Sequence, residues 1–289
     1  MTEIEVYTQQ DDQYYNYCWW PYQPKTSPVG KLRPVALLLR TFALADVSDP
    51  GLAQVLKLQQ QFGLFRTVWG VKYDGDQFDW EYYFYDYARC ERSLTASDVI
   101  AAFPLAANTR PLISVNEDIP YFMCSVNTNV ADLVNAHALS EINLYIGNPG
   151  STISSGISYV RTANDLRLGN LYNFFDAKEN RDDIISKINC SAFSQLKKTT
   201  LERILHPVLA DCSTICLANK KNCDTIYFSG INVSQLIIFM RIFEYPNYLI
   251  DYIENNRMNL DHLYFDVGYD YRVSSGLVSF LKSGFYGIC

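Results

Sequence analysis

The chain has 289 residues, a formal net charge of −7, 48% hydrophobic residues and 15% aromatic residues. That balance excludes a general nucleic-acid binder, which needs a basic footprint, and no apolar run reaches the roughly eighteen residues of a membrane-spanning helix. The polar, acidic start MTEIEVYTQQDDQYYNY is unlike a secretory signal. The eight cysteines (Cys18, Cys90, Cys124, Cys190, Cys212, Cys216, Cys223 and Cys289) are therefore expected as reduced thiols in a cytoplasmic protein.

Residues 1–31 are rich in Gln, Asp, Tyr and Pro and read as an irregular arm, with Trp19, Trp20 and Tyr22 available to pack on the body. Residues 32–289 read as one domain, because no linker or compositional break divides them. Pro34 opens an apolar helix through Leu39. Leu52, Val55, Leu56, Leu58 and Phe62 keep helical spacing up to a C-cap at Gly63.

The period then falls to two. Arg66–Tyr73 meets the turn signal Asp74-Gly75, and the chain returns as Phe78–Tyr87, FDWEYYFYDY. Trp80, Tyr82 and Phe84 share one face of that strand, and Tyr83, Tyr85 and Tyr87 the other. A strand apolar on both faces is covered on both. A short helix capped by Ser93 or Thr95 follows. Further strand pairs read at Tyr121–Asn127 with Glu141–Ile146, Gly156–Arg161 with Gly169–Phe175, and Thr214–Lys220 with Thr225–Ser229. Helices are expected over 178–188, 200–209, 235–241 (capped by Asn232 or Ser234) and from Pro246 to Ile253. No helix is visible in the Asn148–Ser155 loop between the second and third pairs.

The fifth pair closes the chain. Leu263, Phe265, Val267, Tyr269 and Tyr271 share one face, and Tyr264, Asp266, Gly268, Asp270 and Arg272 the other. Ser274-Ser275-Gly276 turns the chain back into a strand that places Val278, Phe280, Lys282, Gly284, Tyr286 and Ile288 in one row. Five antiparallel pairs joined mostly by helices predict an α+β fold: a barrel of about ten strands with helices outside and a lined lumen.

Most catalytic signatures are absent. There is no GxGxxG, P-loop or GxSxG. Cys212, Cys216 and Cys223 lack a fourth partner for zinc, and His137, His206 and His262 stand alone. Asp182-Asp183 is explained by a helix start. What remains is a set of cations in aromatic strands: Lys72, Arg161, Lys220, Arg272 and Lys282. A strand-end cation can keep its head in water, which suits Arg161, Lys220 and Arg272 best. Lys282 lies mid-strand, and a buried cation needs a partner. Several converging on one lumen would suit a polyanion such as a diphosphate, with Tyr172, Tyr227 and Tyr286 supplying further hydrogen bonds. The 22 tyrosines are explained equally by strand propensity and by a binding cavity.

The five strand pairs, the closing LKSGFY at 281–286 and the step TIYFSGINVSQLIIF at 225–239 resemble the aromatic prenyltransferases of the ABBA type, the PT barrels. The resemblance implies transfer of an allylic group from a prenyl diphosphate to an electron-rich aromatic molecule, indole-like or phenolic. It assigns the diphosphate to Lys72, Arg161, Lys220, Tyr227, Arg272, Lys282 and Tyr286, with Tyr83 and Tyr172 shielding the carbocation. Glu81, and next Asp266, would orient the acceptor or take its proton. No cofactor is required, though Mg2+ is compatible with the diphosphate. Three other readings fit the same residues: a non-catalytic barrel holding a pigment or metabolite, a terpenoid cyclase or isomerase, and an interaction module built on the N-terminal arm.

Overall fold

A computed structural model describes residues 6–12, 14–103, 112–135, 138–148, 154–192 and 198–289. Two helices, α1 (Val35–Leu44) and α2 (Ser48–Phe62), precede the hairpin β1 (Thr67–Tyr73) and β2 (Phe78–Tyr85). A 3-10 turn and α3 (Ala96–Ala102) lead to β3 (Met123–Thr128), α4 (Val130–Asn135), β4 (Glu141–Asn148), β5 (Ser154–Thr162) and β6 (Leu166–Asp176). Then come α5 (Arg181–Asn189), α6 (Lys198–Ile204), α7 (Pro207–Ala210) and the hairpin β7 (Thr214–Asn219) and β8 (Asp224–Asn232). The chain finishes with α8 (Val233–Ile242), α9 (Asn247–Asn255), α10 (Arg257–Leu260) and the hairpin β9 (Tyr264–Ser274) and β10 (Leu277–Ile288).

Each strand pairs antiparallel with its sequence neighbours, and β10 pairs with β1, from Val68↔Ile288 to Tyr73↔Ser283, so the ten strands close into a barrel. Closure removes both free edges, which otherwise recruit other chains. The alternation expected for β2 holds. Trp80, Tyr82 and Phe84 point outward and are essentially fully buried under the helices, while Tyr83 and Tyr85 line the lumen. Trp80 packs on Phe42 of α1 and donates its Nε1–H to Thr41 Oγ1 at 2.9 Å. Phe84 packs on Phe62 of α2. This outer seam is apolar and continuous, and full burial of each large side chain contributes about 1.5–3 kcal/mol.

Local chemistry sets the helix ends. Thr95 caps α3 through a reciprocal bond with Asp98, and Asn232 caps α8 with Gln235 in the same way. Three expectations are corrected. A helix, α4, lies between the strands of the second pair, while β4 and β5 pair directly; residues 149–153 of their connection lie outside the described residues. The helix expected over 200–209 is divided at His206, whose ψ of 123° is the extended conformation favoured before a proline. In β10 a register shift between Phe280 and Lys282 breaks the single row expected there. Phe280 packs outward on Phe243 and Tyr269, whereas Lys282, Gly284 and Tyr286 follow the inward phase.

Candidate functional site in the barrel lumen

The β1–β2, β7–β8 and β9–β10 turns lie at one end of the barrel, and strand alternation sends three lysines inward there. Lys72 on β1 meets Glu81 on β2, with Nζ 3.2 Å from Oε2. Lys220, just past β7, meets Asp270 on β9 at 2.7 Å, and Thr225 Oγ1 donates to the same oxygen at 2.5 Å. Lys282 meets Asp79 at the mouth at 2.6 Å, with both side chains more than a third exposed. Burial pulls the Lys72 ammonium down, but Glu81, Tyr227 and Asp270 outweigh it and raise its pKa above the ordinary lysine value. Burial pushes the Glu81 and Asp270 carboxyls up, and the lysines outweigh it: Lys72 holds Glu81 below its usual range, and Lys220 does the same for Asp270. Lys72, Glu81, Lys220 and Asp270 thus form one alternating set of charges.

Arg161 does not join them. It is on the outside of the barrel and donates Nε–H to the Ser114 carbonyl at 2.8 Å. Its strand neighbour Ile142 faces the outer core, which fixes that phase. Arg272 is exposed at the rim, bonded to the Asn222 carbonyl. Both follow the snorkelling behaviour of strand-end cations.

Below the charged tier, Tyr172, Tyr145, Tyr83, Tyr286 and Tyr227 succeed one another around the wall, with neighbouring ring centroids 6.0–6.4 Å apart. Lys72 Nζ lies 4.8 Å from the Tyr286 ring centroid and 5.9 Å from that of Tyr227, and donates to the Tyr286 hydroxyl. Tyr83 donates to Glu81. Two of these rings lean over glycines on the adjacent strand: Tyr286 over Gly70 and Tyr227 over Gly268. A Cβ at Gly268 would sit 2.3 Å from Tyr227 Cδ1 and 3.0 Å from the Ile226 carbonyl oxygen. Gly268→Ala is therefore expected to tilt Tyr227 out of the wall and lower stability by about 1–3 kcal/mol, the usual cost of overpacking, as read from the urea midpoint.

The far end of the lumen is closed by the N-terminal arm. Asn16 donates to the Tyr264 carbonyl at 2.8 Å and accepts from the Ile288 N–H at 3.1 Å. Tyr17 donates to the Tyr85 hydroxyl at 2.5 Å. Trp19 sits edge-on to Phe174, with centroids 5.0 Å apart, and its backbone N–H donates to Ser229 Oγ at 3.3 Å. Beside them lies Asp266, which is 2% exposed. Oδ1 accepts from the Gly230 N–H at 3.2 Å, while Oδ2 has no partner within bonding distance among the described residues. Burial pushes this carboxyl up to about 7, against the pull of the nearby Ser229 and Cys18 side chains. A cavity of about 100 Å³ remains among Tyr85, Phe174, Tyr227, Tyr286, Asp266 and the arm.

The two carboxylates singled out from the sequence therefore have different surroundings. Glu81 is paired with Lys72, which favours its ionised form, and Asp266 is buried with no cation partner among the described residues. The sequence reading missed Asp79 and Asp270, although Asp79 shares a strand face with Glu81 and Asp270 shares one with Asp266 and lies directly across the hairpin from Lys282, and period two was enough to find them. It also missed Tyr145, and no local signal placed Tyr17 or Trp19 in the lumen. His262 is buried and its pKa is lowered to about 4, chiefly by burial; Tyr15 stands edge-on to it. His137 lies outside the described residues. Among the described residues, Cys212, Cys216 and Cys223 are buried free thiols, no group of three or more His, Cys, Asp or Glu side chains is placed to hold a metal ion, and no helix is long and apolar enough to cross a membrane.

The closed ten-strand antiparallel barrel with helices around it is compatible with the PT-barrel architecture. No protein-family model matches the chain, and no curated protein matches it significantly.

Proposed function

We propose that the barrel is an aromatic prenyltransferase, moving an allylic group from a prenyl diphosphate to an electron-rich aromatic acceptor in the cytoplasm. The observation that carries this reading is the stacking of a lysine tier directly on a tyrosine wall inside a closed lumen. Lys72, Lys220 and Lys282 would hold the diphosphate, and the Tyr227 and Tyr286 hydroxyls would add donors. As the carbon–oxygen bond breaks, the electron pair leaves with the diphosphate. The allylic cation left behind would lie against the faces of Tyr83, Tyr172, Tyr227 and Tyr286, which attract positive charge. The acceptor ring would attack that cation and then lose a proton, with Asp266 the unpaired carboxyl in reach of the lumen floor.

Each lumenal lysine already has a carboxylate. An incoming diphosphate would have to draw Lys72 from Glu81 and Lys220 from Asp270, or arrive with Mg2+ to offset those carboxylates. The same pairing favours a second reading, a non-catalytic barrel that holds an uncharged hydrophobic metabolite. Calorimetry with dimethylallyl and geranyl diphosphate, with and without Mg2+, separates the two. Saturable binding that is lost in Lys72→Ala supports the transferase. No binding at about 1 mM, weaker than about −4 kcal/mol, rules it out.

A further inference from the structure

One wall of the lumenal cavity belongs to the arm and not to the barrel. Trp19 occupies a cage of rings, edge-on to Phe174 at 5.0 Å and 81° and to Tyr227 at 6.0 Å and 67°. The free space beside it, about 100 Å³, is well below the roughly 300 Å³ at which small-molecule pockets begin. Next to that space is a buried acceptor, Asp266 Oδ2, that no donor reaches within bonding distance among the described residues, although the Ser229 and Cys18 side chains lie nearby. An orphaned buried oxygen is costly and marks a place where a donor belongs. The indole of Trp19 thus fills a site whose chemistry is that of a flat ring, beside an oxygen waiting for an N–H or O–H.

We propose that the lumen floor is a subsite for a small planar aromatic molecule bearing an N–H or O–H donor, and that Trp19 is its internal stand-in, displaced when the ligand enters. The ring of the ligand takes the place of Trp19 between Phe174 and Tyr227, and its donor bonds to Asp266. The arm is anchored on both sides of Trp19. Asn16 is pinned to both Tyr264 and Ile288, and Tyr22 packs edge-on against Tyr264 at 5.0 Å. The segment that swings is therefore the short stretch between them, Tyr17 to Pro21. The proposal deepens the transferase reading by giving the acceptor its place. Its test uses no diphosphate, so the two can fail separately.

Cys18 reports the position of the arm. Cys18 is half-buried in the docked arm, where desolvation pushes its thiol well above the ordinary range, whereas Cys90 and Cys190 are exposed. A shielded, protonated thiol reacts more slowly than an exposed one. The full chain is treated with N-ethylmaleimide and alkylation is read per cysteine by mass spectrometry, with and without saturating indole. Without indole, Cys18 is expected to react severalfold more slowly than Cys90, roughly in step with its partial shielding and raised pKa. Indole is expected to speed Cys18 severalfold and leave Cys90 and Cys190 unchanged, and 1-methylindole, which lacks the donor, to act more weakly. Trp19→Ala, which removes the competitor, is expected to bind indole more tightly than the unaltered chain by calorimetry. The proposal is overturned if Cys18 reacts as fast as Cys90 without ligand, or if indole leaves Cys18 unchanged or slower. Equal action of indole and 1-methylindole removes Asp266 from the subsite. If Trp19→Ala fails to fold, the indole response of the unaltered chain still decides the matter.

Discussion

Lys72→Met is expected to unfold at a markedly lower denaturant concentration than the double variant Lys72→Met/Glu81→Gln. The single change leaves Glu81 in the lumen without its cation, and breaking a buried pair from one side costs about 3–5 kcal/mol. The lower end applies here, because Glu81 keeps the Tyr83 hydroxyl and the field of Lys220. The double variant removes both charges, and replacing a buried pair by neutral groups of similar shape is often close to neutral, within about 1 kcal/mol. Guanidinium midpoints at constant slope measure the difference. The comparison also separates stability from ligand binding. If Lys72 holds a diphosphate, the double variant recovers its fold and still fails to bind. Equal stability of the single and double variants would show that Glu81 is not held by Lys72.

Asp266 is expected to make the protein less stable as pH rises, and Asp266→Asn to abolish that slope. An ordinary aspartate in the unfolded chain releases its proton near 3.8, whereas burial carries the folded group to about 7. Between those values the folded state binds a proton that the unfolded state has lost. Stability therefore falls with increasing pH across that window, and the full difference above it is roughly 4 kcal/mol. Glu81 and Asp270, held low by lysines, work in the opposite sense, losing stability as pH falls through their folded values. The whole-protein profile is the sum of both. The difference between the unaltered chain and Asp266→Asn isolates the one group, because Asn keeps an acceptor for the Gly230 N–H. Equal pH profiles for the two proteins would mean that Asp266 is solvated or paired in the folded state.

The barrel was legible because its signal is local. Alternation in FDWEYYFYDY, the Asp74-Gly75 turn and the two-faced apolar strands all act within ten residues, and the outer face of Trp80, Tyr82 and Phe84 is where period two puts it. The bulge at Phe280 was not legible, because a register shift answers to the partner strands and not to the strand's own sequence. The same division runs through the site. Lys72, Lys220, Lys282, Tyr227 and Tyr286 could be picked by strand phase. Arg161 could not be excluded by type alone, since its outward direction depends on Ile142 across the ladder. The arm was least legible of all. Its Asn16, Tyr17 and Trp19 contacts join residues far apart in the chain, and an irregular segment carries no period from which to read them.

The seam between β1 and β10 bears on how the chain folds. Every other strand pairing links sequence neighbours, and these can form as the chain emerges, at small loop-closure cost. The β1–β10 pairing joins the two ends of the strand series and must wait for the last one. Until then the sheet is an open ribbon with β1 as a bare edge, and Lys72 and Glu81 face water. The enclosed lumen, the Lys282–Asp79 pair across the seam and the arm's docking against Ile288 therefore await that last step, whereas the Lys72–Glu81 pair lies within the β1–β2 hairpin. A half-made sheet passes through its most aggregation-prone form just before that step.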